Sequence, residues 1–100
     1  MPDLLNSFKE KYPDTWSAYE QLKTSCDRQG PLDVKTVELV KISVSTALEH
    51  KGGLIAHISQ ARKAGANEDE IYHAILLATG LAGFPAVLAA FGTALEYLGD

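Results

Sequence analysis

Two of the three histidines of this 100-residue chain, His50 and His57, stand seven residues apart on either side of Gly52-Gly53. An imidazole titrates near neutrality, so either could serve as a general acid or base. At helical spacing His57 falls within roughly 60° of Leu54, Ala61 and Ala64. It borders an apolar stripe, as a proton-transfer group or as a hydrogen-bonded interfacial histidine. In an unbroken helix the two rings would be about 10 Å apart, so they could share a metal only if the glycine pair bends the chain. With no further acid at ligand spacing between them, no metal is expected. Glu38 lies in the most apolar stretch, either on an exposed strip beside Lys41 and Ile42 or as a buried acid needing a partner. His73, among the acids that open its helix, reads as a surface residue. The single cysteine, Cys26, can form neither an internal disulfide nor a two-cysteine redox pair, and reads as a small core residue. The sequence has no phosphate-binding glycine loop, nucleophile elbow or zinc cysteine pattern.

Composition narrows the class of protein. Apolar residues make up 46% and charged residues 22%, which is globular rather than disordered. The length suits a single domain spanning 1–100. Alanine and aliphatic residues crowd the second half, more than so short a chain can cover with its own polar face, so self-association is expected. The net charge is −4 and the nine Lys and Arg are scattered, which leaves no nucleic-acid footprint. No run approaches the roughly 20 apolar residues of a membrane span, and the N-terminus mixes acids and lysines where a signal peptide needs an apolar core. A cytoplasmic protein with no membrane partner is the expectation.

The elements that must position these residues read as helices throughout. Asp3 to about Tyr12 is amphipathic and stops at Pro13. Trp16, Tyr19, Leu22 and Cys26 then form a helical stripe. Gln29-Gly30-Pro31 breaks it, and Asp33 can cap a helix from Val34 to about Leu48, with Val34, Val37, Val40, Val44, Ala47 and Leu48 as its inward stripe and Leu39 and Ile42 widening it. Gly52-Gly53 punctuates. Leu54 to Ala64 is the next helix, with Gly65 as its cap. Asn67 and Glu70 form a capping-box start for a helix running to about Leu81. Pro85 opens the last, with a stripe of Leu88, Phe91, Leu95 and Leu98. The fold class is all-α, a bundle of five to six short helices.

Several pieces then act as a set: the Lys35, Glu38, Leu39 helix opening, His57 followed by an alanine-rich turn to Ala64-Gly65-Ala66, the Glu70-Ile71 helix start, and the Gly83-Phe84-Pro85-Ala86 link. Together, from Leu32 to Leu98, they resemble the carboxymuconolactone decarboxylase family, which includes the alkylhydroperoxidase D group. The resemblance implies an alkylhydroperoxidase-D-like fold and a homo-oligomer, trimer or hexamer. In the peroxidase branch the pattern is a glutamate, eleven residues, Cys-x-x-Cys, three residues and a histidine. Laid on this sequence, the glutamate is Glu38 and the histidine His57, but the cysteine positions carry His50 and Gly53. Thiol peroxidase chemistry needs an attacking and a resolving thiol, so it is not expected here.

The branch without those cysteines includes decarboxylases that convert a carboxylated muconolactone to an enol-lactone without a cofactor. By that resemblance His57 is the proton donor, Glu38 orients it, and His50 stands at the pocket wall. Lys41, Lys51 or Arg62 would receive the carboxylates of a small anionic substrate. A non-catalytic binding or assembly protein on the same fold is the alternative. If Val34 to His50 were one straight helix, Glu38 and His50 would be about 18 Å apart. Glu38 would then join the site through a bend, a folding-back or a neighbouring subunit.

Overall fold

Helix starts in this chain are written by side chains that accept from their own backbone. In the computed structural model, which describes residues 3–99, the Asp3 carboxylate accepts from Leu5 N at 3.0 Å and opens α1 (Leu4–Lys11). Pro13 then takes the first position of α2 (Pro13–Arg28), where its missing N–H costs nothing. Asp33 accepts from Thr36 N at 2.8 Å and opens α3 (Val34–Ala47). The helices α4 (Lys51–Lys63), α5 (Glu68–Leu76), α6 (Thr79–Ala82) and α7 (Phe84–Leu98) follow. Six of the seven span two turns or more, α6 is a single turn, and no strand occurs among the described residues.

The chain divides into two compact units that part between Pro31 and Leu32, where length alone suggests one. In the first, α1 and α2 carry no buried residue. Cys26, expected in a core, is exposed. Within this unit Lys9 sits over the Trp16 ring at 4.8 Å, and Phe8 stacks obliquely on Tyr12.

The second unit is built around α3, which packs on α4, α5 and α7. Its core joins Ile42, Leu54, Ile58, Ile71, Ile75 and Val87 with a set of alanines. In α4 and α5 the buried residues are the stripes that spacing suggests, but in α3 and α7 they differ. In α3 the buried residues are Glu38, Ile42, Ser45 and Thr46, whereas Val34, Val40, Val44 and Leu48 are exposed. In α7, Ala86, Val87, Ala90 and Ala94 face the core, and Leu88, Phe91 and Leu95 face out. Small residues let helix backbones approach closely, so the alanine face of α7 goes in and the larger side chains are left at the surface. The expected single helix to Leu81 is interrupted at Leu77-Ala78. There the Thr79 hydroxyl donates to Leu76 O at 2.7 Å and Ala78 N donates to Ile75 O, a tightened turn that ends α5.

The start of α5 is a full capping box: Asn67 Oδ1 accepts from Glu70 N at 2.8 Å, and Glu70 Oε1 accepts from Asn67 N at 2.9 Å. Asn67→Ala should lower stability by about 1 kcal/mol, read as a drop in the urea midpoint with the slope unchanged. Glu70 also ties α5 to α3, since its Oε2 accepts from Lys35 Nζ at 2.9 Å. The Asn67 N–H first, and Lys35 second, hold the Glu70 carboxyl below its ordinary 4.5. The hydrogen bond to Glu70 holds Lys35 above its ordinary 10.5.

A lowered carboxyl stabilises the fold above its unfolded value and loses that contribution as pH falls through the folded one. A raised amine contributes below its unfolded value and loses that as pH rises through the folded one. Lys35→Met should therefore melt below the wild type between about pH 4.5 and 10.5, with the gap closing at either extreme. Part of the acid-side sensitivity should survive in the variant, because the larger cause on Glu70 is the Asn67 N–H. Melting curves across pH check both points.

Candidate active site

The site is made by a helical hairpin whose turn is closed without glycine. Glu49 takes the left-handed conformation (φ 54°), with Glu49 N donating to Thr46 O and His50 N donating to Ser45 O at 3.0 Å. This is the Schellman pair of bonds that ends many helices, here with an acid where glycine is usual. His50 is at once the N-cap of α4, its Nδ1 accepting from Gly53 N at 3.0 Å. The glycine pair, expected to be the break, lies instead inside the first turn of α4. Gly52 has open space around it, but a Cβ on Gly53 would run into His50 Nδ1. What Gly53 provides is room for the capping ring.

From this turn α3 and α4 run back along each other, and matched spacings pair their side chains. Ser45 and His50 sit at the turn. Seven residues before the one is Glu38, and seven residues after the other is His57. Seven residues is nearly two full turns, so each pair keeps to one helix face. His57 Nδ1 lies 2.8 Å from Glu38 Oε1. The folding-back brings Glu38 to His57, whereas His50, also expected at the site, stays at the turn nearly two helical turns away.

The Glu38 side chain is 12% exposed and that of His57 is 28% exposed. An ionised carboxylate can only accept, so Nδ1 carries the proton, and Nε2 is the atom left to take a proton in the neutral ring or give one in the cation. A carboxylate so placed fixes the tautomer and orientation of the ring. Part of the imidazole is open to solvent, an arrangement suited to proton transfer at Nε2.

Beside the turn is a cleft of about 170 Å3 lined by Ser45, His50, Lys51, Leu54, Ala90 and Thr93 among others. Neither Glu38 nor His57 lines it; they lie about 10 Å further along the hairpin. Of the three cations expected to receive substrate carboxylates, Lys51 is on the wall of this cleft. Lys41 is half-buried on α3, three residues after Glu38. Arg62 is exposed and lines a separate groove with Ser59, Lys63 and Tyr97. His73 is exposed on the far side of α3, in a groove with Val40 and Leu77. Among the described residues no group of three His, Cys, Asp or Glu could hold a metal ion. Sequence reading passed over Ser45 and Thr93. The signal for Ser45 was its seven-residue offset from Glu38, mirroring that of His50 from His57; Thr93 carries no such mark.

The fold and this pairing can be set beside known proteins. Among curated proteins none matches the sequence significantly. The structure is similar to that of the apo form of a carboxymuconolactone decarboxylase family protein from Legionella pneumophila. The TM-score is 0.84 and the identity 25%, over 95% of this chain and 84% of that one. The model of the carboxymuconolactone decarboxylase family matches residues 12–96, beginning earlier than the Leu32 at which the motifs themselves start. With that match running from the start of α2 into the last turn of α7, the chain belongs to the carboxymuconolactone decarboxylase family.

Proposed function

We propose that this protein is a cofactor-free lyase of the carboxymuconolactone decarboxylase type, acting in the cytoplasm on a small anionic lactone. The observation that carries the reading is the 2.8 Å contact between His57 Nδ1 and Glu38 Oε1 beneath a partly open ring. In such a reaction the bond from the ring carbon to a carboxylate breaks and CO2 leaves. The electron pair passes into the conjugated lactone, and a carbon of that ring takes a proton. His57 as imidazolium, its charge balanced by Glu38, gives that proton from Nε2 and is reprotonated from water. The test is decarboxylation of 4-carboxymuconolactone by the purified protein, followed as loss of substrate and release of CO2. Turnover at background level would remove this substrate.

A second reading, a binding protein on the same fold, draws on one observation: the cleft beside the turn is not lined by Glu38 or His57. Peroxidase chemistry needs two thiols, and the sequence holds Cys26 alone.

We also propose that the chain assembles as a homo-oligomer, a trimer or hexamer. Phe84, Leu88, Phe91 and Leu95 on α7 are exposed at helical spacing, an apolar stripe of the kind that marks interfaces. Light scattering should give a mass of several chains, and Leu88→Glu should lower it. No helix among the described residues is long and apolar enough to cross a membrane.

A further inference from the structure

The cleft at the α3–α4 turn holds hydrogen-bond donors that proton transfer at His57 does not use. His50 Nδ1 accepts from Gly53 N at 3.0 Å, so its lone pair is committed to the backbone and the neutral ring carries its proton on Nε2. Nε2 lies on the ring edge facing away from that bond. A histidine held in this way gives a hydrogen bond and cannot act as a base at Nδ1.

Beside it, Ser45 is only 8% exposed and lines the cleft. Its hydroxyl hydrogen-bonds to no described residue, whereas its neighbour Thr46 donates to Ile42 O at 2.9 Å. Ser45 Oγ is not sealed from the cleft, so it can donate to whatever enters there. Both side chains approach Gly53, where an added Cβ would run into His50 Nδ1 and lie 3.3 Å from Ser45 Oγ. Ala86, Ala89 and Ala90 form the apolar wall, with Thr93 among them. Two charged residues line the cleft, Glu49 and Lys51. Both are exposed and opposite in sign, so solvent screens them and they largely cancel. The uncharged donors left to select a ligand are the buried Ser45 hydroxyl and the exposed His50 ring.

We propose that Ser45 Oγ and His50 Nε2 hold a carboxylate of the substrate at the turn end of the hairpin. The inference rests on the lactone-acid reading above for its ligand. The distance decides which group is held: the turn is about 10 Å from His57 along α4, so the reacting carbon reaches His57 while a remote carboxylate arm is anchored at Ser45 and His50. His50 is then a positioning residue, and its contribution is substrate binding that is equal in ground and transition states.

The test uses the intact chain and three probes: paraconate, a γ-lactone with a carboxylate; tetrahydrofuran-3-carboxylate, which lacks the lactone carbonyl; and γ-butyrolactone, which lacks the carboxylate. Nitrogen-15 NMR of the histidine rings should show His50 in the Nε2–H tautomer before any probe is added. Both carboxylates should shift His50 Nε2 and the Gly53 amide, and γ-butyrolactone should not. Ser45→Ala and His50→Asn should each weaken paraconate about tenfold. Because asparagine also caps helices well, His50→Asn should keep the wild-type melting temperature, separating a lost ligand contact from a lost fold. In turnover both variants should raise KM and leave kcat close to wild type.

An Nδ1–H tautomer at His50, carboxylates that shift nothing, or γ-butyrolactone acting as strongly as paraconate would each overturn the assignment. A wild type that fails to decarboxylate 4-carboxymuconolactone yet binds paraconate at His50 would remove the proposed reaction and leave the donor pair standing.

Discussion

His57→Gln should lower kcat for 4-carboxymuconolactone by about 10²- to 10⁴-fold while KM changes little, the range expected when a positioned acid–base group is removed. Glutamine is the informative replacement because of what lies beneath it. The Glu38 side chain is 12% exposed and 2.8 Å from the imidazole. Alanine would leave that carboxylate with its partner gone, a loss of stability as well as of chemistry. A glutamine amide can still donate to it, so the fold is retained and a loss of rate is a loss of proton transfer. Glu38→Gln is the companion. It keeps an oxygen that can accept from Nδ1 and hold the ring in place but removes the charge beside it, so kcat should fall by less. If His57→Gln, folded by circular dichroism, turned over as fast as wild type, His57 would not be the acid.

The largest effect on stability is expected one residue further along α4. Ile58→Ala should cost about 2–5 kcal/mol, a large share of the roughly 5–15 kcal/mol that holds a domain of this size together. Ile58 is 0% exposed and belongs to the core cluster with Ile42, Leu54, Ile71 and Val87. Truncation removes its transfer free energy and leaves a cavity in a packed interior, and the α3, α4 and α7 surfaces around it can close only partly. Ile58→Val, with one methylene fewer, should cost about 0.5–1.5 kcal/mol. Guanidinium midpoints measured with an unchanged slope would give both values. A cost below that of the valine variant would mean that the core around Ile58 is not packed as described.

Helix positions were legible because their signals are local. Asp33, Asn67 with Glu70, Pro85 and Gly65 mark ends whose chemistry involves only a few neighbouring residues. Which face is buried was legible in α4 and α5 but not in α3 and α7. In α3 and α7 the bulkiest stripe was taken for the inner one, but α7 turns Ala86, Ala90 and Ala94 inward. Close approach of backbones is a property of two helices, and one helix's sequence cannot state it.

The same limit applies to the site. His57 and Glu38 could be picked out by residue type and family resemblance, but their contact depends on where the chain reverses. The visible punctuation at Gly52-Gly53 pointed three residues too late, since Glu49 adopts the left-handed turn itself. Ser45 stayed hidden because serine in a helix is ordinary until a neighbouring element leaves its hydroxyl without a partner.

The matched seven-residue offsets on either side of that turn make the hairpin behave like a ruler folded in half. A substitution at most surface positions between Glu38 and His57 leaves the graduations aligned. Removing or adding one residue between His50 and His57 does not, because everything beyond it turns by about 100° and shifts by about 1.5 Å. His57 would then face away from Glu38 even though each residue kept its identity and each helix its stability. The segment from Glu38 to His57 should therefore tolerate changes of residue far better than changes of length, and loop grafts or circular permutations of this fold belong outside it.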